Sequence, residues 1–190
     1  MENNERKLSV KERLVLSGLS ELEEYGIRDF SLRRVAARAE VSCAAPYRHF
    51  KDKELLILAV IAHVRVGWNL LADNINSVYS SDPVGRIVEL CASSVRFWIG
   101  NSSFRAALLT GKSEADEVRR KEISLFDAPI ISAIEEYAAE TCSDADSLSF
   151  AALSLVYGTV TLIASGSSDM ISGVSKLRHI IKRTLLQKQP

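Results

Sequence analysis

Residues that interrupt or cross-link a polypeptide are scarce in this sequence. Its 190 residues include only four prolines and nine glycines, and no segment alternates polar and apolar residues as a half-buried strand does. Apolar residues recur instead at intervals of three and four, which is the spacing of an amphipathic helix. The sequence therefore predicts a nearly all-α protein.

Clustered cysteine and histidine are also absent. Cys43, Cys91 and Cys142 are odd in number and far apart, which excludes a disulfide framework and a Cys-x-x-Cys metal site. His63 and His179 have no potential ligands at metal-binding spacing, so we expect no metal. Because reduced cysteines are typical of the cytoplasm, we expect a cytoplasmic protein.

Long hydrophobic runs and catalytic motifs are missing as well. No stretch approaches the roughly 18 consecutive apolar residues of a membrane helix, and the N-terminus is acidic, so we expect neither membrane association nor a secretory signal. The sequence contains no glycine-rich phosphate loop, no His-Glu-x-x-His and no ordered Ser, His and Asp set. We therefore expect no cofactor and no enzymatic activity.

Basic charge is concentrated in one segment. The chain has 24 basic and 24 acidic residues, which argues against a protein that coats nucleic acid along its whole surface. Residues 28–53 nevertheless carry seven Lys or Arg residues against three acids, whereas the acids that dominate residues 113–146 look solvated. This pattern favours one local contact with an anion.

Capping residues predict three helices near the N-terminus. The first should run from about Ser9 to Tyr25 with Gly26 placed to end it, and Ser31 is placed to cap a short second one. Ser42 is placed to cap a third that ends at His49. Two short helices separated by about three residues are typical of a helix-turn-helix, whose second helix enters the major groove of DNA.

Longer helices are predicted beyond this point. Asp52 is placed to cap a fourth helix that is long enough to join two domains. Others are expected over residues 84–100, 102–111, 114–140, 144–165 and 169–187. Pro129 predicts a kink or break within 114–140.

A family signature is carried by the run Phe30-Ser-Leu-Arg-Arg-Val-Ala-Ala-Arg-Ala-Glu-Val-Ser-Cys-Ala-Ala-Pro-Tyr-Arg-His-Phe-Lys-Asp-Lys-Glu-Leu-Leu, which resembles that of the tetracycline-repressor (TetR) family. The likeness extends over roughly residues 9–65. It implies a helix-turn-helix DNA-binding domain at residues 1–53 and a helical ligand-binding and dimerisation domain at residues 54–190. It also implies a sequence-specific regulator of transcription, namely a homodimeric repressor that a small-molecule effector releases from a palindromic operator.

The resemblance further implies individual DNA contacts. Tyr47 would lie against the DNA backbone or a thymine methyl, and His49 would hydrogen-bond a phosphate. Lys53, at the start of the long helix, would meet a phosphate where the helix dipole also favours anions. Ser31 would cap its helix and touch the same backbone, and Arg33 is the candidate for reading a guanine edge.

The first turn of the recognition helix carries small residues. Cys43, Ala44 and Ala45 would make mostly apolar contacts there, and Arg48 is either a phosphate contact or a surface charge. Cys43 is open to two interpretations: a redox switch on the DNA-reading surface, or a small residue that fills a tight contact.

Several alternatives concern residues beside these. Tyr47 has a second interpretation as a core residue, and Arg34 and Arg38 as solvated charges. Glu40 stands where the family usually has glycine, so a positive φ at this position would cost on the order of 1 kcal/mol. Pro46 predicts an irregular start to the third helix.

In the C-terminal part the resemblance implies an effector pocket. An apolar core is the alternative interpretation of the same residues, and their near-neutral character favours an uncharged or aromatic effector. The candidate pocket residues are Cys91, Val95, Trp98, Phe104, Leu108, Phe126, Ile130, Tyr157 and Thr161.

The last two long helices are rich in apolar and small residues, and the resemblance implies that they pair with their copies in a homodimer. Double-stranded DNA, an unidentified small molecule and a second copy of the chain are thus the expected partners. A helical carrier of small molecules or lipids without gene control is the alternative, but it gives no reason for Tyr47, His49 and Lys53 to occur together.

Overall fold

A computed structural model describes residues 8–110 and 116–186, with the side chains of residues 107–110 and 116 left aside. Within these residues the secondary structure is helical throughout, so the all-α prediction is confirmed. The helices are α1 (Val10–Tyr25), α2 (Leu32–Arg38), α3 (Ala45–His49), α4 (Lys53–Val78), α5 (Pro83–Gly100), α6 (Ser102–Thr110), α7 (Asp116–Thr141), α8 (Ala145–Ala164) and α9 (Met170–Leu186).

Local capping chemistry sets most of the helix ends. Ser9 and Glu12 form a reciprocal capping box at the start of α1, and Gly26 ends that helix with a φ of 69°. Ser31 accepts a hydrogen bond from the Arg34 backbone at 3.4 Å, and Asp52 accepts one from the Leu55 backbone at 2.8 Å. The predicted caps at Gly26, Ser31 and Asp52 are confirmed, and each depends on residues within about one helical turn.

The boundary predicted at Ser42 was wrong. Ser42 does not cap the third helix, which begins at Ala45 with Ala44 as its N-cap and no side-chain cap. Pro46 lies in its first turn, where a missing N–H leaves no helical bond unmade. Pro129 lies inside α7 without breaking it, and the kink expected there stays a prediction. The predicted helix positions 111, 114, 115 and 187 lie outside the described residues.

The chain divides into two compact units. The first contains the described residues of Met1–Arg65 and Ser103–Glu122. In it α1 packs on α2 and α2 on α3, around a core that includes Leu14, Leu22, Val35 and Leu56, all fully buried. Because hydrophobic burial is the dominant favourable term in folding, this core holds the three short helices in place.

The second unit contains the described residues of Val66–Ser102 and Ile123–Pro190. Here α5, α8 and α9 pack against one another, and Leu90, Val95, Val156 and Leu177 are almost completely buried among them. The Tyr137 hydroxyl donates to the Leu185 carbonyl at 2.6 Å, which fastens α7 to the end of α9.

Two helices have the length and hydropathy of a membrane span. The most apolar windows of α4 and α8 reach mean hydropathies of 1.9 and 1.7. This is weak evidence for insertion, because an apolar core helix of a soluble protein has the same length and composition. The absence of membrane association therefore stays a prediction.

Candidate nucleic-acid interface and buried acid

The turn between α2 and α3 is built on a residue with left-handed backbone. Glu40 has a φ of 55°, as expected if its position needs a positive value. Its N–H donates to the Ala37 carbonyl at 3.1 Å, and the Val41 N–H donates to the Ala36 carbonyl at 3.0 Å. This pair of bonds is the Schellman motif, which ends α2 abruptly and lets α3 start in a new direction.

A buried carboxylate joins α1 to α2. Glu21 is fully buried and accepts from the Ser31 backbone at 3.0 Å and from Arg34 Nε at 2.8 Å. Arg34 also lies over the Tyr25 ring, 4.1 Å from its centroid, and Arg38 donates to Glu24 at 2.6 Å. The two arginines are therefore not simply solvated charges, and they fix the first helix of the motif against α1.

The outer surface of α3 exposes most of the residues predicted to contact DNA. Tyr47 is 62% exposed, which excludes the alternative that it packs in the core. Exposed beside it are Cys43, Ala44, Arg48 and His49. An exposed aromatic ring beside the Arg48 guanidinium suits a surface that binds a groove of DNA.

Two of the predicted contacts are engaged elsewhere. Ala45 is buried, with 1% of its surface exposed, because it faces the core of the first unit; its side chain is therefore removed from the surface open to DNA. Lys53 Nζ donates to the Ile27 carbonyl at 3.1 Å and lies 5.6 Å from the Phe30 ring. Arg33 is exposed on α2, and Ser31 is half-buried at its start.

Ion pairs connect α4 to the beginning of α7 within the first unit. Arg65 Nε donates to Glu122 at 3.0 Å, and Arg119 pairs with Glu54. Arg119 and Glu122 are both largely buried, so the expectation that the acids of residues 113–146 are solvated was wrong for Glu122. Buried pairs of this kind hold a segment in one position, because either partner alone would be costly to bury.

An aromatic cluster occupies part of the second unit. It consists of Trp68, Phe97, Trp98 and Phe126, whose neighbouring rings lie 4.8–5.6 Å apart in tilted or edge-on arrangements. Trp68 Nε1 donates to the Phe126 carbonyl at 3.0 Å, close to Pro129.

Sequence reasoning missed a buried acid that follows Phe126 on α7. Asp127 is 8% exposed, and the Tyr157 hydroxyl donates to both of its carboxylate oxygens, at 2.9 and 3.1 Å. Burial raises the pKa of Asp127 to about 6, which the Tyr157 hydrogen bond only partly offsets. Burial likewise raises the pKa of Tyr157. A sequence signal existed, because isoleucines occur four residues before Asp127 and three and four after it.

The other predicted pocket residues are distributed more widely. Cys91, Val95 and Ile130 are fully buried, and burial raises the pKa of Cys91 to about 12. Thr161 is exposed and donates to the carbonyl of Tyr157 at 2.8 Å. Phe104 is buried in the first unit, whereas the residues of the aromatic cluster belong to the second. The Leu108 side chain lies outside the described residues.

The geometry of residues 9–53 defines a helix-turn-helix DNA-binding protein. Residues 15–60 match the family model of bacterial regulatory proteins of the tetR family. The chain resembles the tetR family through this segment, and the match supports a DNA-binding transcriptional regulator. No curated protein sequence matches the chain.

Solved structures share the fold over the whole chain. A protein of unknown function from Rhodococcus sp. RHA1 is similar at 22% identity and a TM-score of 0.80, over 98% of this chain and 100% of that one. NalD of Pseudomonas aeruginosa, the secondary repressor of the MexAB-OprM multidrug efflux pump, is 19% identical over 95% and 98%, with a TM-score of 0.69. FadR of Bacillus subtilis, a transcriptional regulator solved with stearoyl-CoA, is 10% identical over 89% and 96%, also at 0.69.

Proposed function

We propose that the protein is a homodimeric repressor that binds a palindromic operator and leaves it when a small-molecule effector binds the second unit. The observation that carries this proposal is the exposed surface of α3, where Tyr47 stands 62% exposed beside Arg48 and His49. DNA binding is assigned to residues 1–53, and effector binding and dimerisation to residues 54–190.

On DNA, each exposed side chain has a distinct role. Arg33 is suited to the O6 and N7 acceptors of guanine, whereas Arg48 and His49 are suited to phosphates. Cys43 and Ala44 are small enough to let the backbone approach the bases closely. Lys53 reaches a phosphate by exchanging its bond to the Ile27 carbonyl for a stronger one to an anion.

An apolar surface supports dimerisation through α8 and α9. Phe150, Leu162 and Ile171 are 76%, 53% and 84% exposed. Gly158 is also exposed, and a Cβ built on it would meet no atom within 4 Å. Large apolar side chains around a small residue allow two helices to approach closely, and their burial would stabilise the dimer at about 25 cal/mol per Å².

The effector is assigned to the second unit because that unit contains the aromatic cluster and Asp127. FadR, which has a similar fold, was solved with stearoyl-CoA, and this supports a ligand-responsive function here. The effector releases the operator by binding one conformation of the dimer more tightly than the other. The soluble, DNA-bound mode of action fits the cytoplasm and requires no catalysis.

The test is fluorescence anisotropy with the DNA that flanks the protein's own gene, over a salt series. We expect tight binding that weakens steeply with salt, exceeds binding to scrambled DNA, and is lost in Tyr47→Ala. Tyr79→Ala, which removes a tyrosine from the second unit, serves as the matched control. If neither this DNA nor a genome-wide selection yields a preferred site, the carrier without gene control replaces the proposal.

A further inference from the structure

A cavity of about 600 Å³ lies within the second unit, between the start of α5 and the end of α9. An adjoining cavity of about 480 Å³ shares part of its lining and adds Arg183. The two together are called the α5–α9 groove, whose lining includes Val84, Val88, Arg178, His179, Lys182 and Leu186. We propose that this groove binds an amphipathic anion, meaning a phosphate or carboxylate attached to an apolar chain.

The groove is separate from the surfaces to which functions are assigned above. Among the described residues, its lining contains none of the candidate effector-pocket residues and none of the four rings of the aromatic cluster. Phe150, Leu162 and Ile171, the apolar side chains assigned to dimerisation, do not line it either. The inference therefore goes beyond the proposed function and does not depend on DNA binding.

The first argument is the positive charge that α9 brings to the groove. Lys182 and Arg183 are both exposed, and no ion pair between described residues includes either of them. Arg178 pairs with Glu89, but Glu89 also accepts from Arg96 at 3.2 Å, so one acid serves two arginines. Clustered cations that the protein does not neutralise attract an anionic ligand.

The acid that lines the groove serves another purpose. Asp82 accepts from the Gly85 backbone at 2.9 Å and thereby caps α5. A carboxylate held at the start of α5 by this bond forms no ion pair with Lys182 or Arg183. The cations that line the groove therefore outnumber the acids, even with the charge of Asp82 included.

The second argument is the apolar surface beside these cations. Val84 and Val88 lie four residues apart and therefore on the same side of α5, and Leu186 of α9 is 59% exposed. An apolar chain bound here would remove this surface from water, which is favourable. A cavity of about 600 Å³ also lies within the range of roughly 300–1,000 Å³ that small-molecule sites occupy.

The combination disfavours simpler ligands. An inorganic anion would meet Lys182 and Arg183 but leave Leu186 in water. A neutral apolar molecule would cover Leu186 and displace water from Lys182 without replacing its hydrogen bonds. An anionic head on an apolar chain satisfies both parts of the groove, because its head meets the cations and its chain covers the leucine and valines.

Isothermal titration calorimetry tests the proposal, with decyl phosphate below its micellar concentration as the probe. We expect it to bind at least about tenfold more tightly than inorganic phosphate or 1-decanol, each of which offers only half of the chemistry. The double variant Lys182→Gln/Arg183→Gln should lose about tenfold in affinity, because two charge-assisted contacts are removed. Lys176→Gln is the matched control, since Lys176 is exposed on the same helix but does not line the groove.

The source of the anion is distinguished by sedimentation with vesicles of equal parts phosphatidylcholine and phosphatidylglycerol. Vesicle binding that the double variant loses would assign the groove to the headgroup of a membrane lipid. Decyl phosphate binding without vesicle binding would assign it to a free amphiphile. Binding of neither, equal affinities for decyl phosphate and 1-decanol, or a double variant that binds as the wild type does would each overturn the proposal.

Discussion

Glu40 and Ala45 lie only five residues apart and show two different ways in which single residues shape the motif. Glu40 adopts a positive φ that a side chain with a Cβ disfavours, yet the Schellman bonds around it hold the turn closed. Ala45 contributes by being small and buried, which leaves the outer surface to Tyr47 and its neighbours. One residue stores strain and the other supplies packing, and neither needs to touch DNA.

Replacing Glu40 with glycine should stabilise the protein. Glycine adopts the observed φ without steric cost, so we expect the free energy of unfolding to rise by about 0.5–1 kcal/mol, which urea denaturation can measure. Glu40→Ala removes the same charge but keeps the Cβ, and its stability should not increase. Equal gains in both variants would attribute the effect to charge and contradict the strain argument.

At the scale of helices, two ion pairs each join a glutamate of α1 to an arginine of α2, but they differ in burial. The Glu21 side chain is 0% exposed, whereas that of Glu24 is 50% exposed. The Arg38 pair lowers the pKa of Glu24, but solvent screens such a pair and limits its contribution. The α1–α2 junction therefore depends mainly on Glu21.

Glu21→Gln should destabilise the first unit, because it removes the charge from buried hydrogen bonds to the Ser31 backbone and to Arg34. We expect a loss of about 2 kcal/mol in the free energy of unfolding. Glu24→Gln, the matched change on the same helix, should leave thermal stability within experimental error. Similar losses in the two variants would show that burial does not distinguish the pairs.

The sequence predicted the helices well wherever a helix end is set by residues close to it in the chain. Ser31 and Asp52 cap their helices through bonds to residues three positions away, so their role can be read from the chain. The bond from Trp68 to the Phe126 carbonyl joins residues 58 positions apart, and the Tyr157 to Asp127 bond joins residues 30 apart. Such pairings depend on packing between helices, and single-sequence reasoning did not anticipate them.

At the scale of the whole molecule, the proposed homodimer makes Gly158 the most informative position. Its exposed site has room for a side chain in the isolated chain, and helical glycine is replaced without loss of helix propensity. Gly158→Arg should therefore keep the fold while placing charge in the apolar interface. We expect light scattering after size exclusion to report one chain instead of two, and operator affinity to fall sharply.

Gly67→Arg is the matched control, because Gly67 is likewise exposed on a helix with nothing within 4 Å of an added Cβ. This variant should remain dimeric and bind the operator. A dimeric Gly158→Arg protein would place the interface elsewhere on the chain. Far-UV circular dichroism of both variants checks that the helices are retained.

The path of the chain limits how this protein can be recombined with its relatives. The backbone passes from one compact unit to the other after Arg65, again after Ser102, and once more after Glu122. A chimera that joins residues 1–65 to the C-terminal unit of another protein would contain Glu54 and Arg65 without their partners Arg119 and Glu122. Two charges that are paired in the native protein would then lack a counter-charge. A DNA-binding unit of this kind can be transplanted intact only if residues 103–122 are transferred together with residues 1–65.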